Sequence, residues 1–460
     1  MSTTAFTFRV LAGILSMTGL VGEASAATPV RSTGIHFADR TPIPSFSRQT
    51  GLACSVCHTS FPQLNTFGRN FKLNGYTLTN KEIVGSNAGG DERKVEIPLV
   101  PGLSAMIQTS YSRINEAAPG TQNGNADLPQ QLSFFYGGRL TPKLGTFVQL
   151  TYASEDGSIG IDNADVRFAT HAKFLAKDMI LGITLNNNPT VQDVWNTVPA
   201  WGYPFASSAV APAPAAASLI DGALAQQVAG LGTYAYWNNM VYGELSVYRS
   251  APQGAPNPAD GSSELTTDGV APYWRLALER RWGPQSVMVG TYGLQARLFP
   301  SGITGTTDDY TDIGVDGQYE RRLGPGSLTA RGTWIREDQN LDASFAAGAA
   351  ANSSNTLDTY RLNSTYYLDR GIGFTVGYFA LNGDADSGLY EPGAVDGSLN
   401  GTPDSSGLLG QLDFGPWLNT RFAVQYTLYT KFNGASTDYD GFGRNAGDNN
   451  TLYILAWLAF

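Results

Sequence analysis

The chain has 460 residues and a net charge of −10, with 53 Gly, 22 Tyr, 22 Phe and 8 Trp; 42% of it is hydrophobic and only 15% is charged. The hydrophobic share excludes a disordered chain, the negative balance excludes a nucleic-acid binder, which needs a basic face, and the charge content is well below the roughly 25% of soluble domains. No apolar run of about 20 residues follows the N-terminus, which excludes a helical membrane protein and leaves an antiparallel all-β chain, rich in Gly and Tyr.

In chain order, the first predicted element is an export signal. Arg9 precedes an apolar stretch over 10–21, and Ala24-Ser25-Ala26 supplies a small-residue cleavage site, so residues 1–26 read as a secretory signal peptide cut after Ala26. The stretch is too short for a spanning helix. Export takes the chain's two cysteines to an oxidising compartment, where a disulfide is the default. Their setting argues otherwise, because Cys54-Ser55-Val56-Cys57-His58 is the C-x-x-C-H attachment sequence of a c-type haem. That spacing lets two thiols reach the two vinyl groups of one porphyrin while the adjacent imidazole faces the iron. A zinc site would need two further ligands, and a redox dithiol would want a βαβ setting that the neighbourhood lacks. Residues 27–99 are therefore expected to form a monohaem cytochrome c domain, with one covalent haem c on Cys54 and Cys57 and with His58 as an axial ligand. Two residues compete for the opposite face of the iron: His36, in the same segment, and Met106, on the first strand that follows.

From about residue 100 the pattern changes to segments of about ten residues that alternate apolar with polar or small side chains, separated by connections rich in Gly, Asn, Asp and Pro. Sixteen such segments are predicted, among them 101–113, 130–140, 162–170, 178–187 and 450–460. Short connections at 141–144, 238–239, 282–285, 323–326, 369–371 and 416–419 alternate with long ones such as 188–230, 250–271, 383–406 and 433–449. An even count with short turns on one side and long loops on the other predicts a 16-stranded antiparallel transmembrane β-barrel over 100–460, in the lipid of a bacterial outer membrane and with both ends periplasmic. Parity assigns the faces: Ile313, Val315 and Tyr319 to lipid; Asp312, Asp316, Gln318 and Glu320 to a polar lumen; and Leu452, Ile454, Ala456, Leu458 and the terminal Phe460 to lipid again. Asp165, Arg167, Arg275, Glu279, Arg331 and Arg361 are further expected lumen residues, and Met106 shares the inward face of the first strand with Ser104, Gln108 and Ser110.

A haem attachment sequence directly upstream of an outer-membrane barrel is a tethered redox centre, held at the barrel mouth at high effective concentration. At these residues the chain resembles the outer-membrane fused cytochrome-porins, best known as iron oxidases of iron-oxidising bacteria. The resemblance runs through Ala53 to Thr59, Pro62, Leu64-Asn65, Gly68-Arg69, Phe71-Lys72 and Gly75-Tyr76, and through a terminus that ends Ala456-Trp457-Leu458-Ala459-Phe460. It implies a single c-type haem on Cys54, Cys57 and His58, a 16-stranded barrel, and electron transfer from extracellular Fe(II) to a periplasmic c-type cytochrome or copper protein, the work of an iron:cytochrome c oxidoreductase. Two other functions stay open at this point: an electron conduit for a non-iron donor or acceptor, and a solute-diffusion porin with a haem-containing plug. Acidic residues in the long connections, including Asp260, Glu264, Asp268, Asp384, Asp386, Glu391, Asp396, Asp404, Asp438, Asp440 and Asp448, are expected to concentrate a cation outside. The short turns carry Lys143, Lys173, Lys177, Arg280, Arg281, Arg321, Arg322 and Arg370 instead.

Overall fold

The computed structural model describes residues 44–59, 62–78, 83–84, 97–98, 102–154, 157–250, 265–300, 305–417 and 419–460. Among these, sixteen long strands form one closed antiparallel sheet. They are β1 Leu103–Ile114, β2 Asn125–Thr141, β3 Leu144–Ala153, β4 Ser158–Phe174, β5 Lys177–Asn186, β6 Val228–Trp237, β7 Val241–Ser250, β8 Ala271–Trp282, β9 Gln285–Phe299, β10 Asp308–Leu323, β11 Gly326–Asn340, β12 Ser354–Leu368, β13 Ile372–Gly383, β14 Ser405–Phe414, β15 Thr420–Lys431 and β16 Thr451–Ala459. Each pairs with the next, and β16 closes on β1 from Thr451 opposite Ile114 to Ala459 opposite Met106. The last residue takes part in the closure: Phe460 and Ala105 exchange both backbone hydrogen bonds, at 2.9 and 2.7 Å. Closure removes the sheet edges and pairs the backbone polar groups, as a lipid-spanning sheet requires.

The alternation of side chains confirms the predicted faces. Asp312, Asp316 and Gln318 are buried inside while Ile313 and Val315 are exposed outside, and Tyr453, Leu455 and Trp457 point inward while Ile454, Leu458 and Phe460 point out. Leu245, Leu276, Leu278, Val289, Leu408 and Leu412 each expose more than half of their surface on the outer wall. A belt of this kind would aggregate in water and is stable against lipid tails. Phe174, Trp282, Phe414, Trp417, Phe422 and Phe460 are exposed around the short-turn end, where an aromatic girdle meets the headgroups. Among the described residues no helix is long and apolar enough to cross a membrane; the strands do the crossing.

Two boundaries differ from expectation. The segment 171–177 was expected to be a connection, but β4 continues to Phe174 and turns on Leu175 and Ala176, whose φ values of 50° and 59° place two ordinary residues in the left-handed region. Neither residue carries the turn chemistry that marks the equivalent Asn238-Asn239 pair, both at φ 52°. The second strand begins at Asn125 rather than at 130, because Pro129 falls where the register between β1 and β2 shifts, so its missing N–H interrupts no ladder bond.

The lumen is not an open bore. The long connection between β5 and β6 turns inward and buries Val191, Val194, Trp195, Val198, Leu219, Ile220 and Leu224. Wall residues hold it: Arg275 contacts Asp193 at 3.4 Å, Ile220 N–H donates to Asp312 at 2.7 Å, Leu219 N–H donates to Glu337, and Arg361 pairs with Asp221. A polar lumen therefore exists as predicted, but its charges face a folded loop.

Candidate functional site

The C-x-x-C-H sequence lies in a segment of three short helices, α1 Pro44–Thr50, α2 Cys54–Cys57 and α3 Thr66–Leu73. The single turn of α2 puts Cys54 and Cys57 on one side of the chain as partly exposed, unpaired thiols. Burial pushes both thiols up, Cys57 to about 11 with the neighbouring Cys54 adding to the effect. A redox dithiol needs the opposite, a lowered thiol pKa. His58 follows α2 in extended conformation, and its Nδ1 lies 3.0 Å from the Pro62 carbonyl. A carbonyl can only accept, so Nδ1 carries the proton and Nε2 keeps the lone pair that a metal would take. Burial lowers the imidazole to about 4, which keeps it neutral. These residues fit a c-type haem: two thiols at the attachment spacing and an imidazole fixed in the ligating tautomer.

The residues quoted for the family resemblance each have a structural task. Asn65 caps α3 by accepting from Phe67 N and Gly68 N, while its own N–H donates to Cys57 O at 2.9 Å, so one residue joins the two helices. A Cβ at Gly68 would lie 2.2 Å from Cys57 O, which restricts that position to glycine. Arg69 is buried and pairs with Glu279 at 3.0 Å and Glu320 at 2.8 Å on the barrel wall. Lys72 donates to the carbonyls of Val191 and Asp193, at 2.7 and 2.8 Å, and sits 4.5 Å above the Trp201 ring. Gly75, at φ 68°, brings the chain against the wall, where Tyr76 donates to Asp165 at 2.7 Å.

The segment is therefore docked inside the short-turn mouth. It has no separate core among the described residues: Phe71 and Tyr76 complete a cluster with Met106, Phe135, Phe147 and Trp457 of the barrel, and Leu73 joins another with Trp195 and Tyr234. The expected domain over 27–99 is, in its described part, a plug. The loop from the opposite face reaches the residues just after the C-x-x-C-H sequence. Asn196 Oδ1 accepts Leu64 N–H at 3.0 Å, and Leu64 is bridged to His58. Arg331 joins Gln63 Oε1 at 3.0 Å to the Trp195 carbonyl at 3.2 Å. Asn196 and Trp195 were not expected here; the signal that points to them is an exceptionally long connection whose apolar residues have no reason to face water.

Of the two distal candidates, Met106 is fully buried on the inward face of β1, within the cluster that the plug completes. His36 lies outside the described residues. Several of the acidic loop residues are engaged within the loops. Asp386 accepts the N–H groups of Ala351, Asn352, Gly388 and Leu389, Asp440 those of Val395, Phe442 and Arg444, and Asp268 and Asp404 pair with Arg297 and Lys431. Asp260 and Glu264 lie outside the described residues. Among the described residues no group of three or more His, Cys, Asp or Glu is arranged to hold a metal ion.

No family model matches the chain, and no curated protein matches it in sequence. Solved structures match in architecture. The anion-selective porin from Comamonas acidovorans is 13% identical, with a TM-score of 0.46 over 78% of this chain and 98% of that one. The outer membrane channel DcaP of Acinetobacter baumannii is 11% identical at 0.45, over 81% and 99%. OmpT of Vibrio cholerae is 12% identical at 0.44, over 82% and 100%. Each is an outer-membrane β-barrel. With its closed sheet, outer lipid belt and girdle, this chain is an outer-membrane barrel of porin-like architecture.

Proposed function

We propose that the protein passes single electrons across the outer membrane, from extracellular Fe(II) to a soluble periplasmic c-type cytochrome or copper protein. The observation that supports this reading most is the placement of Cys54, Cys57 and His58 at the mouth of a closed barrel, in a segment whose Leu64, bridged to His58, donates to Asn196 of a loop that enters from the other face and whose Gln63 is joined to the same loop through Arg331. Bound to these residues, a haem supplies a one-electron couple between two compartments that lipid insulates. The chain's residues do the rest. Arg69, Lys72 and Tyr76 fix the plug, His58 is held neutral and in one tautomer by Pro62, and the buried loop over 188–227 fills the bore so that iron stays outside. The donor rests on the family resemblance; the electron path rests on the plug.

Mixing the oxidised protein with Fe(II) tests the reading. Rapid reduction of one haem per chain is expected. A haem that stays oxidised in excess Fe(II) yet responds to another donor would leave an electron conduit for a non-iron donor and remove the iron oxidase. A second reading, a solute-diffusion porin with a haem-containing plug, draws on the polar, Arg- and carboxylate-lined wall and the constricting loop. Planar-bilayer recording separates the two: stable open-pore steps from the intact protein would favour the porin.

A further inference from the structure

The buried arginines of the barrel strands are not alike. Arg167 pairs with Asp165, Arg275 with Asp316 and Arg361 with Asp221. Arg331 on β11 is as enclosed as these, at 5% exposure, yet among the described residues it has no carboxylate within ion-pair distance. Its Nε and Nη2 are taken by neutral oxygens, the Trp195 carbonyl and Gln63 Oε1, and its Nη1 has no hydrogen-bond partner. The nearby acids are committed elsewhere, Glu320 to Arg69 and Asp193 to Arg275. An enclosed guanidinium without a counter-ion is unfavourable by several kcal/mol. Among the described residues Arg331 thus lacks an anion, beside Gln63, whose backbone carbonyl accepts the Thr59 N–H next to His58.

We propose that Arg331 holds a propionate carboxylate of the haem bound to Cys54, Cys57 and His58. A c-type haem brings two carboxylates and fixes them near its attachment sequence, and a guanidinium is the side chain whose paired donors match a carboxylate. Gln63 and Trp195 orient the fork, so the extracellular loop helps to set this pair through the Trp195 carbonyl. The positive charge offsets the propionate's negative charge and favours the reduced, less positive haem. Arg331 is on this account a positioning and tuning residue, and the inference rests on haem attachment.

The test is a redox titration of the full-length protein with Arg331→Gln and Arg331→Lys. Arg331→Gln is expected to keep covalent haem and a low-spin spectrum while its midpoint potential falls by about the 59 mV that a tenfold one-electron change represents. Arg331→Lys should restore most of the shift, which a merely structural role would not do. Resonance Raman of the native protein gives a second reading that does not depend on a variant folding: its propionate-bending band should be that of a carboxylate hydrogen-bonded to protein. A native potential in Arg331→Gln, or the band of solvated propionates in the native protein, would overturn the proposal. If the native chain carries no covalent haem, the function proposed above falls first.

Discussion

The two ends of the barrel are closed in different ways. At the short-turn mouth a separate segment is latched to the wall by buried charges, with Arg69 on Glu279 and Glu320, and Lys72 on the carbonyls of Val191 and Asp193. At the long-loop end the loops close on themselves, with Asp386, Asp440 and Asp308 each accepting several backbone N–H groups. A latch concentrates its stability in few contacts, whereas a cap spreads it along a loop. The first is a docking device for one segment; the second is loop architecture, in which these carboxylates serve the loop backbone.

The difference can be broken at its strongest point first. Arg69→Ala leaves Glu320 without its cation and Glu279 with Arg281 alone, and breaking a buried pair of this kind costs about 3–5 kcal/mol. Undocking of the plug is the expected result, read as new protease cleavage between α3 and β1 and as ion conductance absent from the parent. Gly68→Ala forces a Cβ against Cys57 O and is expected to destabilise the joint of α2 and α3 by about 1–3 kcal/mol, seen as lower covalent haem content with the barrel's thermal unfolding unchanged.

The loop caps should yield a smaller and local effect. Burial alone would raise Asp386, but the Asn355 amide and the N–H groups of Ala351, Leu389 and Asn352 outweigh it and hold the carboxyl below the usual range. A lowered folded-state value means that its contribution is present above the ordinary carboxylate pKa and is lost as pH falls through the folded one. Hydrogen-exchange protection in 383–404, corrected for the intrinsic pH dependence of exchange, should therefore fall in acid before that of the barrel strands does. Asp386→Ala should produce the same loss of protection at neutral pH, for a local loss of about 1–3 kcal/mol.

Sequence made the wall legible because β-strand parity is a property of neighbouring residues: Asp312 and Asp316 against Ile313 and Val315 can be sorted without knowing the fold. The terminal Phe460 and the short turns at Asn238-Asn239 and 282–285 follow from the same local chemistry. Leu175-Ala176 was not legible, since nothing in those side chains asks for positive φ and the turn is imposed by the paired strands on either side. Of the candidate site, Cys54, Cys57 and His58 are named by spacing alone. Asn196, Trp195 and Arg331 could not, because their link to Gln63 and Leu64 is made across the lumen, between parts of the chain more than 100 residues apart. In the acidic loops, composition shows the charge but not that Asp386 and Asp440 satisfy the backbone of their own loops.

The most direct test of the central claim places the protein in sealed vesicles that enclose an oxidised soluble c-type cytochrome, with Fe(II) added on the long-loop side only. The native chain is expected to reduce the enclosed cytochrome without admitting iron, and Cys57→Ala is expected to leave it oxidised. An enclosed cytochrome that stays oxidised with the native chain, while native and Cys57→Ala proteins admit small solutes equally, would contradict the electron path and leave a porin.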